Sequence, residues 1–161
     1  MKETDKLNVF NKLILFSLVP ISQLTLYFSV SEKYTHKELL NLKQSLNLTA
    51  NQLTIFQAIT VLLFSILLFG LMYLVGNALL FFSSQKDSEA LFLALIAALG
   101  FSNILMLIVQ ILFNLYYPLL ATISQTLILP LSYYYLSKQD LKGSILLLLS
   151  MIITNSLTIL F

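Results

Sequence analysis

Residues 90–137 read ALFLALIAALGFSNILMLIVQILFNLYYPLLATISQTLILPLSYYYLS, 48 residues without a charged side chain. As one α-helix this stretch would be about 72 Å long, more than twice the roughly 30 Å of a bilayer's hydrocarbon core. It must therefore fold back on itself. Asn114-Leu115-Tyr116-Tyr117-Pro118, near its middle, supplies the turn. Proline ends a helix at or before the residue that precedes it, and paired tyrosines suit the membrane–water interface. The expected product is a hairpin of two membrane-spanning helices, with the rest of the chain adding spans around it.

Composition agrees. Hydrophobic residues make up 58% of the 161 and charged residues 10%, against about 25% charged in soluble domains. This is the balance of an integral membrane protein forming one transmembrane domain, all-α, with no tract long and polar enough for a separate soluble unit. There is no cysteine, which excludes disulfides and thiolate metal sites. All nine basic residues are lysines, so the bidentate phosphate grip of arginine is missing. The lysines are scattered over several loops, and nucleic acid is not an expected partner; membrane lipid is.

Outward from the hairpin, residues 13–30 give 18 uncharged positions, enough for about 27 Å of helix, with Pro20 inside. The positive start before this run also resembles a signal peptide, but the run is long and bulky residues fill 27–31, so a retained span is expected. Residues 31–51 are the one long polar connection. Thr35 and Glu38 match a capping box, and Leu39, Leu42 and Leu46 recur on one helix face, which predicts a short amphipathic surface helix. A second capping box, Thr49 with Gln52, opens the next helix. The spans are expected at 13–30, 53–82, 89–114, 119–136 and 143–161, five in all, with Asp87 or Ser88 capping the third. Tyr133, Tyr134 and Tyr135 read as an aromatic girdle. With five spans, Lys2, Lys6, Lys12, Lys86, Lys138 and Lys142 fall on one side and Lys33, Lys37 and Lys43 on the other. The lysine-rich side faces the cytoplasm, which puts the N-terminus inside and the C-terminus outside.

Two constellations stand out. Ala90, Ala94, Ala98 and Ser102 repeat every fourth residue and form a stripe of small side chains, suited to close helix packing within the bundle or to docking a partner's helix. Asn77, Asn103, Gln110, Asn114, Gln125 and Asn155 are uncharged polar residues in apolar surroundings. Each must find a partner in the bundle or a wet cavity; interhelical hydrogen bonds are the main reading and a polar substrate path the other. His36 is the single histidine, read as a loop residue and not a metal ligand. No nucleotide-binding loop, zinc-protease motif or serine elbow is present, and no ionisable residue interrupts a span. Neither catalysis nor a cofactor or metal site is expected.

From residue 48 to 113 the pattern gains a further meaning. Leu-Thr-Ala-Asn-Gln-Leu opens a long helix that ends in Gly76-Asn-Ala-Leu-Leu-Phe-Phe. A short Lys/Ser turn then leads to Leu-Phe-Leu-Ala-Leu-Ile-Ala-Ala-Leu-Gly-Phe-Ser. This resembles bacterial members of the Yip (Ypt-interacting protein) family of five-helix membrane proteins. The resemblance implies a non-enzymatic accessory protein of the bacterial cytoplasmic membrane that binds another membrane protein, such as a subunit of an ABC-type export complex. A small transport or substrate-binding subunit and a bacteriocin or toxin immunity protein are the alternatives.

The lysine pattern makes a topology prediction. Single cysteines replacing Ser45, Ser84 and Ser137 would be exposed to a membrane-impermeant thiol reagent in intact cells. Ser45→Cys is expected to label and the other two to stay silent until the membrane is broken. The reverse pattern would invert the orientation.

Overall fold

The computed structural model describes residues 8–34, 36–83 and 86–160. Among these residues six helices follow one another: α1 (Val9–Tyr34), α2 (His36–Ser45), α3 (Ala50–Leu80), α4 (Ser88–Phe113), α5 (Pro118–Leu136) and α6 (Leu141–Leu160). The fold is all-helical, with no strand among the described residues. Among the described residues four helices, α1, α3, α4 and α5, are long and apolar enough to cross a membrane.

The helix ends follow local chemistry. The second capping box forms: the Thr49 backbone N–H donates to Gln52 Oε1 at 2.9 Å, and the Gln52 N–H donates to Thr49 Oγ1 at 3.3 Å. Asp87 caps α4, its carboxylate accepting from the N–H groups of Glu89 and Ala90. The expected hairpin turn is present. Asn114 adopts the left-handed conformation (φ 55°) that ends α4, and Pro118 occupies the first turn of α5, where its missing N–H costs nothing. The α2 terminus closes in the same way at Asn47 (φ 51°), with the Leu48 N–H reaching back to Lys43 O. Thr35 of the first capping box lies outside the described residues, as does the Leu42 side chain. Leu46 falls beyond the end of α2 and is exposed, so the expected apolar stripe is shorter than its spacing suggested.

α4 is the axis of the bundle. Its most extensive pairing is with α5, followed by α1, and α6 packs in turn on α5. Ala90, Ala94, Ala98 and Ser102 are all buried, whereas neighbouring Ala97 is exposed. Small side chains let the helix backbones approach closely, and dispersion and hydrogen bonds replace the hydrophobic drive that lipid removes. The stripe therefore meets helices of its own chain. Gly76 does similar work on α3: a Cβ there would stand 2.9 Å from Leu91 Cδ2, so any larger residue would have to push the Leu91 side chain aside. Phe16, Phe69, Tyr73 and Phe92 join α1, α3 and α4 through edge-on and stacked ring contacts 4.8–6.4 Å apart.

The helices alternate in direction. Lys12, near the start of α1, pairs with Glu89 at the start of α4. Ser83, just after α3, bonds Asp140, just before α6. The lysines at 12, 86, 138 and 142 thus sit at one end, and the connection carrying Lys33, Lys37 and Lys43 at the other. Two sequence expectations change. Tyr133 is wholly buried and belongs to the core, while Tyr135 is exposed; the three consecutive tyrosines occupy different faces because a helix turns about 100° per residue. Ser137 is buried as well, so exposed Gln139 is the better position for a labelling cysteine in that loop.

Burial of the stripe leads to a stability prediction. Ala98→Leu is expected to cost about 1–3 kcal/mol through overpacking, whereas Ala97→Leu, about 100° around the helix, should cost little. Melting curves of both variants in detergent check this, and equal melting temperatures would contradict the assigned face.

Candidate functional site

Polar groups inside the bundle bind helix to helix. Asn103 Nδ2 of α4 donates to Ser22 Oγ of α1 at 3.0 Å. Ser124 Oγ of α5 lies 2.8 Å from Ser102 Oγ of α4, which gives the last member of the small-residue stripe a hydrogen bond. Asn155 Nδ2 of α6 donates to Thr126 Oγ1 of α5 at 2.6 Å. Asn77 Nδ2 donates back to Tyr73 O of its own helix, and Ser88 Oγ donates to Asn77 Oδ1 at 2.5 Å, tying α3 to α4. The remaining amides depart from the interhelical pattern. Asn114 is exposed and acts through its backbone as the α4 terminus. Gln125 faces a groove rather than a neighbouring amide. Gln110 is buried, but its Oε1 has no hydrogen-bond partner among the described residues. Gln57 Nε2, buried near the start of α3 at the same end of the bundle, has none either. Asn103 and Gln110 both lie on the buried side of α4, as their spacing of seven requires, yet only Asn103 is matched by a side chain.

The largest polar constellation was not evident from the spacing. Asp140, in the α5–α6 connection, is 4% exposed. Its carboxylate accepts from the hydroxyls of Ser83 and Tyr133, the latter at 3.3 Å. It also accepts from the Gly143 N–H at 3.1 Å, the hydrogen bond of an α6 N-cap. Lys138 and Gln139 both have positive φ (57° and 70°), and the Gln139 N–H returns to Tyr134 O. This sharp reversal ends α5 and carries Asp140 back beneath Tyr133. Gly143 is required by the same closure. A Cβ there would collide with the Asp140 carboxylate and stand 2.8 Å from Tyr133 Cε1 and 2.9 Å from Leu80 Cδ2. One carboxylate therefore joins the ends of α3, α5 and α6. Asp140 followed by an apolar run is a helix-start signal, so its capping role was accessible from sequence. Its burial was not, because Ser83 is 57 residues away.

Two of the grooves that open along the described bundle stand out by volume. One, of about 670 Å³, lies between α1, α3 and α4 and is lined by Phe16, Ile66, Phe69, Gly70 and Phe92, with Lys12 and Glu89 at its rim. The other, of about 360 Å³, lies between α3, α5 and α6. Gln125, Ser150, Thr154 and Asn155 meet apolar walls from Leu68, Leu71 and Leu147 there. Among the described residues no three His, Cys, Asp or Glu side chains gather as a metal-binding group. Compared with known proteins, the chain matches no family model, no curated protein and no solved structure.

The Asp140 junction yields a paired prediction. Asp140→Ala removes the cap and the acceptor shared by Ser83 and Tyr133, and should cost about 1–3 kcal/mol. Gly143→Ala should cost a similar amount by overpacking. Asp140→Asn keeps a capping oxygen and is expected to fall between wild type and Asp140→Ala. Thermal melts in detergent of all three variants test the ordering.

Proposed function

We propose that this chain is a five-span, non-enzymatic accessory protein of a bacterial cytoplasmic membrane, with its N-terminus inside, that binds another integral membrane protein. This is the role implied by its resemblance to bacterial Yip-family proteins, and an ABC-type export subunit is the partner class that resemblance suggests. α6 is the fifth span in this reading, paired with α5 along the bundle.

The observation that carries the reading is the exposure of α3. Of its most apolar window 11% is buried inside the chain, against 44% for α4. Phe56, Ile59, Leu63, Leu67, Leu71 and Leu74 are all exposed and recur every three or four residues, so they form a continuous apolar face. At 31 residues the helix is about 46 Å long, more than a bilayer requires. A partner could engage it both within the membrane and beyond it. The hydrogen bonds of the buried amides favour a structural over a catalytic use of these groups. The small-residue stripe, already occupied by the chain's own helices, is not the docking face in this reading.

The groove that holds Gln125, Ser150, Thr154 and Asn155 favours the second reading, a small transport or substrate-binding subunit, because polar side chains converge there on an apolar cleft. Photo-crosslinking residues at Leu67 and Leu74, with Ile145 on α6 as control, separate the two. In native membranes the α3 positions are expected to give one discrete heterologous adduct and Ile145 none. Adducts of equal yield at all three positions, or lipid alone at all three, would count against an α3 docking face.

A further inference from the structure

The groove between α1, α3 and α4 has two chemically distinct parts. Its interior is apolar and aromatic, built from Phe16, Ile66, Phe69 and Phe92. Phe69, 4% exposed, makes edge-on contacts with Phe16 and Phe92 at 4.8 and 5.5 Å. On the α3 side the wall falls away at Gly70, where an added Cβ would meet no heavy atom within 4 Å. The rim is charged. Lys12 Nζ lies 3.2 Å from Glu89 Oε1, and both side chains are partly exposed. This rim lies at the end of the bundle where α1 and α4 begin, which in a membrane is the headgroup layer.

These features select one occupant. The volume of about 670 Å³ falls in the range of small-molecule sites. Along α3 the lining runs from residue 66 to 73, about 10 Å or two turns. That is a fraction of the roughly 20 residues over which a spanning helix runs through the bilayer, and it matches the first part of an acyl chain. The rim carries one cation beside one anion. An anionic headgroup would gain Lys12 and be opposed by Glu89. A headgroup holding both a phosphate and an ammonium complements the pair, phosphate to Lys12 and ammonium to Glu89. We propose that this groove is a binding site for a zwitterionic aminophospholipid, with one acyl chain against the Phe16–Phe69–Phe92 wall and the headgroup bridging Lys12 and Glu89.

The test uses the full chain in nanodiscs doped with phosphatidylethanolamine carrying a diazirine near the glycerol end of one chain. A parallel sample holds phosphatidylglycerol with the same chain. Irradiation, digestion and mass spectrometry locate the adducts. Adducts are expected within the lining segments of α1, α3 and α4, with the ethanolamine lipid favoured about threefold, the size of effect exposed ion pairs supply. Gly70→Leu fills open space, replaces glycine with a better helix former and should abolish these adducts while raising the melting temperature or leaving it unchanged. Lys12→Gln combined with Glu89→Gln, a change at the rim, should keep the adducts but lose the preference. Equal labelling by both lipids in wild type would overturn the headgroup assignment. Adducts unchanged by Gly70→Leu would overturn the site, as would adducts scattered along the outer face of α3. A dimer in wild type that Gly70→Leu dissolves, with no lipid adducts in the groove, would assign it to a second copy and refute the lipid proposal.

Discussion

Close approach of helix backbones at α4 is the constraint on which the bundle depends. In lipid, apolar side chains gain nothing by leaving their surroundings, so helices associate through contact area and through polar groups that would otherwise be unsatisfied. Ala90, Ala94, Ala98 and Ser102 reduce the thickness of α4 on its buried side, and Gly76 does the same for α3 where it meets Leu91. Once the backbones are close, short side chains reach across: Asn103 to Ser22, and Ser124 to Ser102. Small residues and hydrogen bonds are thus one device. A bulkier stripe would lengthen the very distances that the amides and hydroxyls must span.

The two ends of the bundle are built differently. At the end holding Lys12 and Glu89, polar connections are short and drawn inward. Asp140 gathers the termini of α3, α5 and α6, and Asp87 caps α4. Burying a carboxylate is costly unless its oxygens are hydrogen-bonded, and here Ser83, Tyr133 and the Gly143 N–H supply the bonds. At the opposite end the helices are joined by the exposed Asn114–Pro118 turn and by the longer connection through α2, while Gln57 and Gln110 keep unmatched buried atoms. The tightly joined end fixes helix order. The looser end holds the less satisfied polar groups, and such regions have the lower resistance to local opening.

The surfaces divide along the same lines. α4 spends its face on its own chain, so the exposed apolar area passes to α3, and the grooves open beside α3 for that reason. Gly70 marks where one groove reaches the surface, and the Lys12–Glu89 pair marks where it meets the headgroup layer. An accessory protein that docks through α3 would bring any lipid held in that groove to the edge of the contact.

Much of this was legible in the sequence, because it rests on short-range rules. An uncharged run of 48 residues with a proline in the middle must form a hairpin, and Thr49 with Gln52, Asp87 and Pro118 mark helix starts through bonds made within a single turn. The four-residue repeat identified one face of α4. What that face touches depended on where α1 and α5 lie, which no local rule specifies. The same holds for Tyr133, which alternation of exposure around one helix separated from Tyr135, and for Gln110, whose spacing from Asn103 gave it a face but no partner. Asp140 makes the contrast sharpest. Its position before an apolar run determined that it could cap α6. Only the folding of α3 and α5 against that cap, with two left-handed residues turning the chain beneath Tyr133, decided that the carboxylate would be buried and would hold three helix ends together.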